Sequence, residues 1–412
     1  MSVIAQSEMT AERSELRFVT LLLVAGMVGA AFFVLDLSRV YAGSDGYLAV
    51  PRQPFGADFV NLWTVGKMVL SGLSGDVYRH EDFMAYQQTF MQADIGLRMW
   101  AYPPHSLLLV WPFGLAGYYG IFVIWSLLGL AVLAAGARKF GFDWTETAVL
   151  ALSPAALQCI AFGQTGNLAC GLLLAALAGR SLSSWWSIAS AAILTVKPQT
   201  GFLLPLLWIL RGRWMLIAST GAATLIVVGL SVAAFGIQPW RDYLGDTLPA
   251  LSDLERQGSG PFLTMIPSLF ISLRLLDVDA ALASVIHFAS AGAAVLFLIW
   301  RLRSEENPSR QAALVLIGTC LITPYLHLYD LSILLAGALI VLRGVDRLTG
   351  GVRLIVLLAV SAGWALPKLV MPLGEAGLPI SPLLIAGILA AACLPHVGDR
   401  DKPIGPGLKP LA

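Results

Sequence analysis

The sequence predicts an all-α integral membrane protein, a polytopic fold of about twelve transmembrane helices with further helices lying along the outer surface. Three observations carry this expectation. Of the 412 residues, 57% are hydrophobic and only 12% are charged, about half the ~25% charged fraction of a soluble domain. Mean hydropathy is +0.77. The apolar residues come in long runs, such as 18–37 and 118–137, and not in the alternating stretches of a membrane β-barrel. In lipid every backbone polar group must pair internally, and a continuous run does so as a helix. A cytosolic enzyme, a disordered chain and a collagen are thereby excluded. A net charge of +1 gives no basic footprint for nucleic acid.

Spans are expected at 18–37, 115–137, 146–162, 166–180, 184–197, 199–211, 214–235, 279–301, 311–324, 328–343, 353–370 and 379–395. The shorter ones fit where protein, not lipid, surrounds their ends. A polar stretch precedes the first run and no small-residue cleavage pattern follows it, so the run reads as a retained helix rather than a signal peptide. With the N-terminus inside, most of the 26 basic residues fall in short inner loops, from Arg13 and Arg17 through Arg138, Lys139, Arg211 and Arg213 to Arg343, Arg347 and Arg353. The positive-inside rule then places both termini in the cytoplasm.

Residues 1–412 read as a single transmembrane catalytic domain with two long outer segments, 38–114 and 236–278, and a loose tail at 398–412. Gln53–Leu70 and Asp82–Met99 mix apolar and polar residues at helical spacing and are expected to lie along the outer surface, with Trp63, Tyr86, Trp100 and Tyr102 at the interface. Phe262–Leu276 reads equally as a surface helix or a re-entrant piece. Cys159, Cys170, Cys320 and Cys393 sit inside apolar runs without CxxC spacing, as buried hydrophobes do. The scattered histidines offer no metal site, and no cofactor is expected.

Five polar clusters interrupt the apolar chain, and the topology puts them all on the outer side. Polar groups at membrane depth are costly and usually line a cavity. Asp58, in Gly56-Ala57-Asp58-Phe59, suits a general base or the N-cap of the helix that follows. Tyr102-Pro103-Pro104-His105 combines a rigid turn with a helix start, and His105 is either a ligand contact or incidental to that start. Gly163-Gln164-Thr165-Gly166-Asn167 is a tight hairpin turn whose Gln164 and Asn167 can hydrogen-bond sugar hydroxyls. Lys197, before Pro198, either meets a phosphate or snorkels to headgroups. Thr323–Asp330 sets His327, a phenol and Asp330 in one hairpin tip, where Asp330 can also cap the next helix. No P-loop, dinucleotide fingerprint or GxSxG elbow is present. A substrate reaching this face must arrive already activated, which points to a lipid-linked phosphosugar.

Taken together these clusters resemble glycosyltransferase family 87, in the GT-C superfamily of membrane glycosyltransferases. The matching pieces are Gly56-Ala57-Asp58-Phe59, Gly75–Tyr78, Tyr102-Pro103-Pro104, Gly163-Gln164 with Asn167, Lys197-Pro198, and Pro324 through Asp330. They occur in the family's order over roughly residues 50–335, whereas nothing after about residue 345 carries a family motif. The resemblance implies a GT-C fold and transfer of a sugar, typically mannose, from a polyprenyl phosphate carrier to a lipid or glycan acceptor. It also implies inversion at the anomeric carbon and no metal. It casts Asp58 as catalytic base and puts His327 near the donor phosphate. Lys197, helped by His327 and Arg274, is expected to neutralise that phosphate, with Gln164, Asn167, His105, Tyr102 and Asp330 as further donor contacts. The expected setting is a cell inner membrane with the site facing the periplasm. The alternative is a flippase of lipid-linked sugars, although transporters usually show related halves and polar groups at the midplane.

Overall fold

The computed structural model describes residues 3–50, 53–179, 184–258, 260–395 and 397; the tail expected to be loose, 398–412, lies outside them. The chain is an all-α membrane protein. Each expected span carries a helix, and 146–162 carries two, Trp144–Ala151 and Pro154–Ala161. That break follows from the local sequence: Pro154 cannot donate to the preceding turn, and the Ser153 side chain caps the new helix by accepting from the Ala156 amide.

Among the described residues, five helices are long and apolar enough to cross a bilayer: Phe18–Ala42, Tyr118–Phe140, Trp214–Phe235, Ala280–Ser304 and Gly350–Glu375. The helices of the other expected spans run from 8 residues, as in Leu203–Leu210, to 15, as in Pro308–Ile322. Length and burial go together. The short helices Gly166–Ala178, Pro308–Ile322 and Ser332–Leu342 are almost wholly buried. The long helix Trp214–Phe235 turns its apolar side chains outward, with Leu225 72% exposed. Apolar residues outside and short helices wrapped in protein are what a hydrocarbon solvent favours.

Close packing inside the bundle depends on small residues, as in other membrane helix pairs. Helices Tyr118–Phe140 and Gly166–Ala178 touch backbone to backbone: a Cβ on Gly171 would lie 2.3 Å from the Val132 carbonyl oxygen. Gly171→Ala should therefore destabilise the protein by about 1–3 kcal/mol, read as a lower melting temperature in detergent. An unchanged melt would mean that the two helices can separate without loss.

Ion pairs tie the ends of the helices at the face opposite the polar clusters. Arg343, following Ser332–Leu342, donates to both oxygens of buried Glu146 at 2.9 and 2.8 Å and to the Gly141 carbonyl at 3.1 Å. Glu305 lies between Arg301 and Arg310 at 3.4 and 3.5 Å. Arg211 donates to the carbonyls of Leu302 and Glu305. Cys159, Cys170 and Cys320 are buried and Cys393 is partly so.

The two long segments between spans, 38–114 and 236–278, differ from expectation in their details. Gln53-Pro54 pairs with Leu48–Val50 in a small antiparallel hairpin, and the helix begins only at Phe59. It runs to Leu70 with most of its side chains buried, held by an aromatic cluster of Tyr47, Trp63, Phe90 and Tyr118. The second expected helix spans His80–Met91 and stops there, because Gln92 turns left-handed at φ 52° and the Asp94 side chain then accepts from the Gly96 amide. Trp63 and Trp100 are not interfacial. Both are buried, and their indole N–H groups donate to the Ala116 carbonyl and the Ser106 hydroxyl. Phe262–Leu276 resolves into two short helices, Pro261–Thr264 and Leu269–Leu275. The Met265 carbonyl between them accepts from the Leu328 amide at 2.9 Å, which fastens this segment to the tip that carries His327 and Asp330.

Candidate active site

All five polar clusters meet at one end of the bundle, and glycine makes the approach possible. Gly163 has φ +60°, and a Cβ there would lie 2.3 Å from Cβ of Phe59. A Cβ on Gly166 would lie 2.1 Å from the Tyr329 carbonyl oxygen. The loop 163–166 is thus wedged between the Asp58 turn and the Asp330 tip, and only residues without side chains fit at these two contacts. Ala57, next to Asp58, is held at φ +46°. A non-glycine residue in that conformation carries strain of the kind found at functional sites.

Asp58 stands at the N-cap position of Phe59–Leu70 but makes no capping bond with its side chain. Its carboxylate turns elsewhere. Oδ1 accepts from Arg98 Nη1 at 2.6 Å and Oδ2 from Gln164 Nε2 at 2.8 Å. The Asp58 side chain keeps 29% of its surface exposed and Arg98 13%.

From Gln164 the hydrogen bonds continue in one direction. An ionised carboxylate only accepts, so Gln164 must point its NH2 at Asp58 and its carbonyl at Tyr102, whose hydroxyl donates at 2.9 Å. The Tyr102 proton being used, the contact of 2.9 Å with Thr165 has Thr165 as donor. Lys197 Nζ in turn donates to Thr165 at 3.3 Å and to Asp330 Oδ1 at 2.5 Å. Every donor in the series Lys197, Thr165, Tyr102, Gln164 points toward Asp58, and such chains polarise one another. Burial raises the Tyr102 phenol above its ordinary range, which keeps the proton in place.

Lys197 and Asp330 are 5% and 0% exposed, so they form a closed, mutually neutralised pair. Asp330 also accepts from the His327 amide at 3.3 Å. The His327 ring stacks on Tyr329 with centroids 5.0 Å apart and meets the Phe262 ring at 5.7 Å. Burial pushes the imidazole down to about 4. The ring is therefore held in its neutral form at neutral pH, able to give or accept a hydrogen bond.

The remaining expected residues have distinct surroundings. His105 Nε2 lies 3.2 Å from the Thr195 hydroxyl, two residues before Lys197, and the ring stacks on Trp240 with centroids 5.8 Å apart. Its Nδ1 is buried without a hydrogen-bond partner. Asn167 spends its amide on packing: Nδ2 donates to the Ala156 carbonyl at 3.0 Å and Oδ1 accepts from Ser332 at 3.1 Å. Arg274 donates to the Gly258 carbonyl at 3.3 Å, within its own segment, 236–278. Two members of the network were not singled out in the sequence. Thr165 lay inside a quoted turn. Arg98 lay at the end of the stretch 82–99 expected to form a surface helix, outside every motif, and only its place four residues before Tyr102 hinted at a role.

Such an arrangement can take a proton at Asp58. A model of glycosyltransferase family 87 matches residues 100–324, more than half of the chain. Neither a curated protein nor a solved structure matches it. Tyr102, His105, Gln164, Asn167, Lys197 and Arg274 lie within the matched span. Asp58 and Arg98 precede it and His327 and Asp330 follow it, and the bonds to Gln164 and Lys197 join Asp58 and Asp330 to the matched part. The chain belongs to glycosyltransferase family 87.

Proposed function

We propose that this glycosyltransferase moves a hexose, mannose, from a polyprenyl phosphate carrier to a lipid or glycan acceptor at the periplasmic face of a cell inner membrane. In this reading the chain has a GT-C type fold and crosses the bilayer about twelve times, with both termini in the cytoplasm. Asp58 is the general base. The observation that carries the proposal is its carboxylate: partly exposed, free of capping duty, and held by Arg98 and Gln164 at the meeting point of all five polar clusters.

The step is a single displacement with inversion. The acceptor oxygen attacks the anomeric carbon while its proton passes to Asp58. The bond from that carbon to the phosphate oxygen breaks, and polyprenyl phosphate leaves. A positioned base contributes about 10²–10⁴-fold to such a step. Developing charge on the leaving phosphate is met by the Lys197 side of the site, and neutral His327 adds a hydrogen bond. Tyr102, Gln164, His105 and Asp330 shape the surroundings, Asn167 braces the helix behind them, and Arg274 approaches from the second outer segment. The polyprenyl tail lies in the membrane among outward-facing apolar helices.

The donor class is tested with purified protein in detergent and a crude lipid and glycan extract as acceptor source. Radiolabelled polyprenyl phosphate mannose and nucleotide-activated mannose are supplied in separate reactions. Label should enter a new product from the carrier alone. Transfer from the nucleotide sugar would contradict the proposal.

A further inference from the structure

We propose that Arg98 is a positioning residue for Asp58, fixing the plane of the carboxylate so that its free lone pairs face the incoming acceptor hydroxyl. This rests on the reading of Asp58 as the base.

The geometry carries it. A carboxylate has about four lone-pair directions, and turning its plane by rotation about a single bond redirects all of them. Here two donors from different parts of the chain seize the two oxygens: Arg98 Nη1 takes Oδ1 at 2.6 Å and Gln164 Nε2 takes Oδ2 at 2.8 Å. One lone pair on each oxygen is used and one is left, on a side chain that is still 29% exposed. Arg98 is itself held. Its second prong, Nη2, lies 3.5 Å from Oε1 of Gln53 in the outer hairpin. Two residues along the chain, Trp100 is buried and bonded to Ser106 at 3.1 Å. The guanidinium therefore reaches Asp58 from an anchored backbone, and its fork spans the hairpin and the base.

Neither a stabilising nor a donor-binding role accounts for this placement as well. A partly exposed ion pair adds little to stability, so folding alone gives weak reason for the contact. The fork is already engaged by Asp58 and Gln53, which leaves Arg98 poorly placed to hold a phosphate as well. Alignment is where such a contact has leverage, because a misplacement of about 1 Å at a reacting group can slow a reaction roughly 10²-fold.

The test compares Arg98→Ala, Arg98→Lys and Asp58→Asn with wild type, measuring kcat and donor KM for polyprenyl phosphate mannose, and adding guanidinium chloride to each. Arg98→Ala should lower kcat roughly 10²-fold while donor KM stays close to wild type. Guanidinium should restore part of that loss, which it does only in a protein that is folded and missing the fork. Asp58→Asn should be inactive with or without guanidinium. Wild-type kcat in Arg98→Ala would overturn the proposal, as would an unchanged kcat with raised donor KM, or no rescue by guanidinium. If Arg98→Ala does not fold, Arg98→Lys decides: a lowered kcat with unmoved donor KM supports positioning, and a wild-type kcat or a raised donor KM overturns it. Turnover retained in Asp58→Asn would instead sink the base reading, whereas loss there with Arg98→Ala fully active would sink only the role of Arg98.

Discussion

Asp58→Asn is expected to abolish sugar transfer almost completely, by about 10³-fold or more, in a protein that still folds. The folding half of this expectation comes from the network. Asparagine can accept from Arg98 through its carbonyl and turn its NH2 to Gln164, whose amide then flips to present Oε1. Gln164 would donate to Tyr102, and Tyr102 to Thr165, which still accepts from Lys197; the three contacts from residue 58 through Gln164 and Tyr102 to Thr165, at 2.8 to 2.9 Å, re-form with their direction reversed, while those given by Arg98 and Lys197 keep theirs. The new amide at position 58, Gln164, Tyr102 and Thr165 each keep their present neighbours as hydrogen-bond partners, and no helix cap is lost, because the Asp58 side chain makes no capping bond. The catalytic half is simpler: an amide nitrogen cannot take the acceptor proton. Turnover and the detergent melting curve should be measured together. Near-normal turnover would remove Asp58 from the mechanism, and a collapsed melt would show that the network cannot reverse.

Lys197→Met is expected to act first on folding. Its partner Asp330 is fully buried and accepts from Lys197 at 2.5 Å. Removing one member of a buried pair leaves an uncompensated charge, at a cost of about 3–5 kcal/mol. The double variant Lys197→Met/Asp330→Asn removes both charges and should recover most of the lost stability. That double variant also separates the two roles open to Lys197. If the lysine serves the donor phosphate, the refolded double variant should show a raised KM for polyprenyl phosphate mannose and an unchanged KM for the acceptor. An effect confined to the acceptor would contradict a phosphate role, and a double variant as unstable as Lys197→Met would contradict the pairing account.

The helices were legible in the sequence because lipid leaves a continuous apolar run only one way to pair its backbone. Even the interruption at Ser153-Pro154 carried its own signal. The five polar clusters were legible as residues out of place in apolar chain. Their joining was not. Asp58 and Gln164 are 106 residues apart and Lys197 and Asp330 are 133 apart, distances over which spacing says nothing about contact. The choice between base and cap for Asp58 also needed coordinates, since residue type at an N-cap position suits both. The first outer segment misled where periodicity stood in for packing: Gln53 and Pro54 join a hairpin set by surrounding aromatic rings, and the chain after Met91 leaves its helix through a left-handed residue. Arg98, in that irregular stretch, is defined wholly by what it touches. His327 shows a subtler gap, because its burial against Phe262 and Tyr329, which favours the neutral ring, is set by the fold and not by its neighbours in sequence.

The most direct test of the central claim separates chemistry from transport in one preparation. The protein is reconstituted in liposomes with radiolabelled polyprenyl phosphate mannose and an acceptor extract, and both product formation and the side of the bilayer holding the carrier are followed. Label appearing in a new glycoside, with release of polyprenyl phosphate, is the predicted result. Carrier that crosses the bilayer with its mannose intact and no product would contradict the account and identify a flippase.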